Sequence, residues 1–178
     1  MKTVNLIVLA ITTLALPAVI RANDITVQMN AVNDSGISES IGVVVISKVA
    51  HGVELRPALF GLTPGEHGFH VHEHASCEPA LDDDGKLAAA QSAGGHYDPE
   101  ATEQHGSPLN DDGHKGDLPV LVADASGLAN TPVHAARLSM NDLENRTLIV
   151  HVGGDNYADH PEPLGGGGER FACGLINP

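Results

Sequence analysis

Six histidines and one aspartate stand out by spacing in this 178-residue chain: His70-x-His72, then His96-x8-His105-x8-His114-x2-Asp117, then His151. Imidazoles suit borderline metals such as copper and zinc. One such ion takes about four ligands, so seven donors predict two neighbouring ions with a ligand in common. A shared imidazole would link one ion's chemistry to the other's.

The seven divide by local sequence. His70 and His72 lie in the strand-like run Gly68-Phe69-His70-Val71-His72. Alternation there puts both imidazoles on one face and Phe69 and Val71 on the other. Alone, His-x-His is as often coincidence as ligand. His151 ends the apolar run Leu148-Ile149-Val150 and could bring a third imidazole from a neighbouring strand. His96, His105, His114 and Asp117 form the stronger set, because three imidazoles and a carboxylate close a tetrahedral shell of the structural zinc kind. Their clustering turns metal affinity into loop stability. The bland alternative is a solvated loop with scattered histidines. Gly94-Gly95 before His96 and Gly116 before Asp117 argue against it, since glycines permit the tight turns that converging ligands need.

Rigid strands have to position these groups. Helical periodicity is nearly absent, and short β-rich runs alternate with Gly, Pro, Asn and Asp turns: Ile25–Met29, Ile41–Val49, Val53–Leu59, Gly68–His72, Leu118–Val122, Thr147–Val152 and Phe171–Ile176. The pattern predicts an all-β sandwich or barrel. Lys86–Ala93 has helix-forming alanines, but Gly85, Gly94 and Gly95 bound it, which predicts a loop with one turn at most. Two long polar segments, Ala75 to Gly116 and Gly153 to Glu169, interrupt the strands. Loops of this length in a compact domain usually have a function.

The N-terminus reads as a secretory signal over residues 1–22: Lys2, an apolar stretch from Leu6 to Leu16, Pro17, and the small residue Ala22. The apolar stretch is too short to span a bilayer. Residues 23–178 then form one domain. Export to an oxidising compartment favours joining the only two cysteines, Cys77 and Cys173. A pair of thiolate ligands is the weaker reading, because the two are neither close in sequence nor grouped with the histidines. The formal charge is −14, and loss of Lys2 and Arg21 with the signal makes it −16. With no basic stripe or aromatic platform, nucleic-acid binding is excluded as a function class.

Longer motifs carry a family resemblance. Gly68-Phe69-His70-Val71-His72-Glu73, Gly94-Gly95-His96-Tyr97-Asp98-Pro99, His114-Lys115-Gly116-Asp117-Leu118-Pro119, His151-Val152-Gly153-Gly154-Asp155-Asn156 and the run from Pro163 to Gly174 resemble copper/zinc superoxide dismutase, in its bacterial periplasmic branch. The resemblance implies an all-β, Greek-key, eight-stranded flattened barrel, an immunoglobulin-like sandwich with two long functional loops. It implies one copper ion and one zinc ion per subunit, superoxide as substrate, a periplasmic location, and a monomer or homodimer. Copper would take His70, His72, His96 and His151. Zinc would take His96, His105, His114 and Asp117, with His96 as the bridge and a proton carrier. Arg170 matches the arginine that guides superoxide, and Asp155 the carboxylate that links a copper histidine to a zinc histidine. Cys77 and Cys173 match the family disulfide. The reaction implied is conversion of superoxide to dioxygen and hydrogen peroxide by alternate reduction and oxidation of copper.

So acidic a chain needs local positive charge to receive an anion. Lys86 and Lys115 are the candidates beside Arg170. The segment Tyr157 to Gly165 departs from the eukaryotic branch, so that branch's steering residues do not transfer. His67 fits a structural hydrogen bond, His51, His134 and His160 fit the surface, and His74 fits a solvated loop. Asp82-Asp83-Asp84-Gly85 lacks the distal Glu of a calcium loop and reads as a charged turn. Two other functions compete: a copper or zinc buffer without turnover, and a zinc hydrolase. The filled copper positions and Arg170 disfavour the first, and a closed zinc shell disfavours the second.

Overall fold

The structure, a computed structural model, describes residues 23–176; the expected signal at residues 1–22 lies outside the described residues. The β-branched and aliphatic runs form the strands: β1 (Ile25–Asn33), β2 (Gly36–Lys48), β3 (Val53–Leu59), β4 (Gly65–His67), β5 (Phe69–His72), β6 (Ala80–Leu81), β7 (Leu87–Ala88), β8 (Leu121–Ala123), β9 (Val133–Ala135), β10 (Arg146–His151) and β11 (Arg170–Ile176). The main sheet has the order β5-β10-β11-β1-β2-β3-β9, while β4 pairs with β8 and β6 with β7. Its pairings are antiparallel, and the first strand lies beside the last.

Two links curl this sheet. β4 runs into β5 across Gly68, and Leu59 at the end of β3 exchanges backbone hydrogen bonds with Ala129, which a tight turn closed by Asp124 N–H to Leu128 O joins to β8. β8 therefore spans the gap between the two edges. With β4 and β5 counted as one strand broken at Gly68, the seven-stranded sheet and β8 make the eight strands of an all-β Greek-key barrel. Alternating residues fill its interior, among them Val27, Met29, Val44, Ile46, Leu55, Phe69, Val71, Leu148 and Val150, all with no exposed surface.

The outer face of β5 and β10 is covered as well. All four residues of β5 are buried, Phe69 and Val71 by the core and His70 and His72 beneath the two long loops. Cys77 and Cys173 form a disulfide across 96 residues of sequence. It packs with Ala90, Ala93 and Ile149 in a second small cluster, which anchors the base of the first loop to β11.

Several boundaries differ from expectation. Leu118–Val122 forms a strand only at Leu121–Ala123, because Pro119 has no N–H and the Val120 N–H donates to the Tyr157 hydroxyl. Gly68–His72 begins as strand only at Phe69, since the Gly68 N–H turns to the Gly153 carbonyl. β9 and the β6–β7 hairpin are too short to show periodicity. The acidic turn closes that hairpin, with Asp82 Oδ1 accepting from the Asp84 and Lys86 amides. Lys86–Ala93 holds one short 3-10 turn, Gln91–Ala93.

Candidate metal centre

The backbone brings three segments to one place. Val71 N–H donates to Gly116 O (2.9 Å), Gly116 N–H to Tyr97 O (2.8 Å), and Tyr97 N–H to Val71 O (2.8 Å). This closed triangle sets β5, the His96 segment and the Asp117 segment side by side. Gly116 has no room for a side chain, because a Cβ there would lie 2.3 Å from Val71 O.

β10 supplies His151, and an irregularity in β11 supplies Arg170. From Ala172 to Ile176, alternate residues of β11 face the core, and parity would turn Arg170 inward with them. The register shifts between Val150 and His151, so that Arg170 lies opposite His151. A bulge re-aims the side chain beyond it: Phe171 packs against the core, and Arg170 joins the outer face.

The rings then fall around His96. Its ring centroid lies 3.9 Å from that of His70, 4.9 Å from His72, 5.2 Å from His105, 5.3 Å from His114 and 6.0 Å from His151. His70, His72, His96 and His151 are buried, with ligand atoms within 4.8 Å of one another. On the other side, Asp117 Oδ1 lies 2.9 Å from His96 Nδ1, 3.1 Å from His105 Nδ1 and 3.4 Å from His114 Nδ1.

Outer hydrogen bonds fix which nitrogen of each ring is free, because carboxylates and carbonyls can only accept. His70 Nε2–H donates to Asp155 (2.8 Å), His72 Nδ1–H to Gly94 O (3.0 Å), His151 Nδ1–H to Gly168 O (3.0 Å) and His105 Nε2–H to Asp155 (2.7 Å). The inward atoms His70 Nδ1, His72 Nε2, His96 Nε2, His105 Nδ1, His114 Nδ1 and His151 Nε2 are buried without a hydrogen-bond partner. Six lone imidazole nitrogens in one buried space fit metal ions, since such groups are costly to bury unsatisfied. His70 is within reach of His105 and Asp117 too, but its Nε2 is committed to Asp155, so Nδ1 alone can serve an ion.

Electrostatics separate the two sides. Burial holds the His70 and His72 rings well below the usual imidazole range, and nearby His96 adds to it. Burial likewise lowers His96 and takes His151 down to about 4. Neutral rings of this kind are ready donors. His105 behaves oppositely: burial pulls it down, but the Asp117 and Asp155 carboxylates beside its two ring nitrogens outweigh that and raise it to about 9. Burial tends to raise both carboxylates, and the imidazoles around them hold each below the usual range. Burial lowers Arg170 to about 10, which leaves it charged at neutral pH.

A scan of family models matches residues 40–176 to copper/zinc superoxide dismutase. The copper-zinc superoxide dismutase 2 of Salmonella typhimurium is 50% identical over 169 residues, covering 94% of this chain and 96% of its own length. The chain belongs to the copper/zinc superoxide dismutase family. Among solved structures, the copper/zinc superoxide dismutase of Brucella abortus matches with a TM-score of 0.84 at 49% identity, covering 87% of this chain and 100% of its own. The monomeric enzyme of Salmonella enterica matches with a TM-score of 0.77 at 50% identity, covering 86% and 99%. Family membership makes this chain an oxidoreductase acting on superoxide with copper and zinc as cofactors.

The sites of a family enzyme need more than ligands, and part of that support was invisible in the sequence. Backbone carbonyls of Gly94 and Gly168 carry no residue signature. Arg137 holds the Gly113 and His114 carbonyls at 2.6 and 3.1 Å, and nothing in its neighbourhood marks it. Lys115 is tied to Asp142 at 2.8 Å, which removes it as a free guide for an anion. Lys86 lines, with Arg170, a cleft of about 630 Å³ that also holds Asp34, Asp82 and Glu169. His67 is buried, its Nδ1 2.7 Å from His151 O, a structural role as expected. His51, His74, His134 and His160 are exposed.

Proposed function

We propose that His70, His72, His96 and His151 hold the copper, and His96, His105, His114 and Asp117 the zinc, with His96 common to both. The supporting observation is the ring of unpartnered imidazole nitrogens centred on His96, whose Nε2 is free on one side while Nδ1 faces Asp117 on the other. When bound, copper supplies alternate one-electron oxidation and reduction, and zinc supplies a fixed positive charge.

The remaining steps fall to the chain. Arg170 attracts and orients the superoxide anion. Its guanidinium is fixed by Ala90 O (2.5 Å) and Gly94 O (2.6 Å). Gly94 O also takes the His72 N–H, so ligand and guide are set by one carbonyl. His96 Nε2 takes up and returns a proton during turnover. Asp155 fixes the tautomers of His70 and His105 together, which couples the two ligand sets mechanically. The loops exclude bulk water, so charges at the site are weakly screened.

The reading extends to export: residues 1–22 act as the signal, residues 23–178 form the enzyme, and the bacterial periplasm is its location. As to assembly, a monomer or a homodimer is the expectation, and the Salmonella enterica relative is monomeric.

Elemental analysis with copper electron paramagnetic resonance and a superoxide assay tests the function. One copper, one zinc, nitrogen coupling at copper and dismutation are expected. Metal uptake without turnover would favour the buffer reading. Arg170→Ala is expected to slow dismutation about tenfold or more at unchanged metal content; an unaltered rate would remove its guiding role.

A further inference from the structure

The segment Asp155 to Asp159 alternates its contacts. On one side the backbone pairs with Gly165: Asn156 N–H donates to Gly165 O, and Gly165 N–H to Ala158 O, each at 3.0 Å. On the other side, Asp155, Tyr157 and Asp159 all reach the segments that carry the zinc set. Asp155 takes the His105 ring N–H at 2.7 Å. Asp159 Oδ2 takes the His105 backbone N–H at 2.9 Å, and its Oδ1 takes the Leu164 N–H at 3.2 Å. The Tyr157 hydroxyl accepts the Val120 N–H at 3.0 Å, three residues beyond Asp117. Tyr157 N–H in turn donates to Asp155 Oδ1 at 2.7 Å.

His105 is thus gripped at both ends from one short stretch. Its ring is oriented by Asp155 and its main chain by Asp159. The hold passes on to other ligands. Gly106 N–H donates to Asp117 Oδ2 at 2.9 Å, and His114 N–H to Gln104 O at 2.9 Å. Displacing residues 104–106 would therefore move two further ligands. Gly165 roofs the arrangement at φ +72, and a Cβ there would fall 2.0 Å from Asp155 Oδ1 and 2.7 Å from His105 Nε2.

We infer that Asp159 is a positioning residue for the zinc ligands: it fixes the main chain of His105, with Tyr157 bracing the far end of the same ligand segment at Val120. The inference rests on the zinc assignment proposed above. Neither side chain touches copper ligands directly among the hydrogen bonds described, so its signature is selective for one metal.

Chelator competition on the full protein, for zinc and copper separately, tests it together with the visible absorption of cobalt(II) placed in the zinc set. Loss of an outer hydrogen-bond partner of a metal ligand typically weakens binding roughly 10–100-fold. Asp159→Ala is expected to weaken zinc within that range and alter the cobalt bands, with copper affinity unchanged. Asp159→Asn, whose amide oxygen can still accept the His105 N–H, is expected to recover most of the loss. Unchanged zinc affinity and cobalt bands in Asp159→Ala would overturn the inference, and so would equal losses of both metals. Should Asp159→Ala fail to fold, Tyr157→Phe keeps the volume and removes one acceptor; selectively weaker zinc supports the inference, and wild-type zinc affinity overturns it. Wild-type protein that binds no zinc at this set would instead defeat the zinc assignment itself.

Discussion

The two proposed ligand sets meet at His96 but are held in opposite ways. His70, His72 and His151 stand on β5 and β10, neighbours in the main sheet, with Ile149 opposite His70 and Thr147 opposite His72 in the antiparallel register. Their positions are a by-product of the barrel. His105, His114 and Asp117 lie outside the strands and are placed by side chains that grip the backbone: Asp159 at His105, Arg137 at Gly113 and His114. One set is inherited from the fold, and the other is assembled on top of it. Protonation differs as well. Burial keeps the strand-borne rings neutral, whereas the two carboxylates beside His105 hold a proton on its ring.

The largest break in this comparison is expected at the shared residue. His96→Ala should depress dismutase activity by more than the roughly 10–100-fold that losing an outer partner causes, and it should weaken both metals. A variant that loses only one metal would show that the sets are independent. Next comes the disulfide, which ties the loop-borne side to β11. The chain-entropy model gives about 4.7 kcal/mol for closing a loop of about 100 residues. The paired substitution Cys77→Ser, Cys173→Ser should therefore lower thermal stability steeply, as read by calorimetry, and zinc should be lost before copper. Simultaneous loss would mean the bridge supports both sides equally.

The smallest effect is a proton count. His105, raised to about 9, carries a proton in metal-stripped protein at neutral pH, and that proton has to leave for Nδ1 and Nε2 to serve zinc and Asp155. Zinc uptake should release about one proton near pH 7.5, and affinity should climb with pH until about 9, where the release fades. Copper added to metal-free protein should release none from His151, which burial keeps neutral down to about pH 4; the proton that a shared His96 gives up leaves only when the second ion binds. Calorimetry in buffers of different ionisation enthalpy measures both. Equal release by the two metals, each added alone to metal-free protein, would erase the distinction.

The same division explains what could be read in advance. The strand-borne histidines were legible because period-two alternation carries face information, and His70 and His72 obey it. The loop-borne set was legible only as spacing between turn-permitting glycines. Arg170 shows where parity alone fails: counted back from Ala172 it points inward, and the bulge at Phe171 reverses this. Asp159 and Arg137 were illegible for another reason. Their partners are main-chain groups in distant segments, and a backbone amide looks the same beneath every side chain. The carbonyls of Gly94 and Gly168 leave no trace in composition at all. β9 is three residues long, too few for any repeat to declare itself.

Gly94 O receives hydrogen from both His72 and Arg170, so the two share a single mechanical datum. If thermal breathing shifts that loop, ring and guanidinium travel as a pair, and their separation is conserved while their distance to the rest of the molecule changes. A tolerance stacked through two independent supports would add; one referred to a common point does not. On the roles proposed for Arg170 and His72, the alignment between landing place and electron acceptor therefore survives motions that would blur either position measured alone.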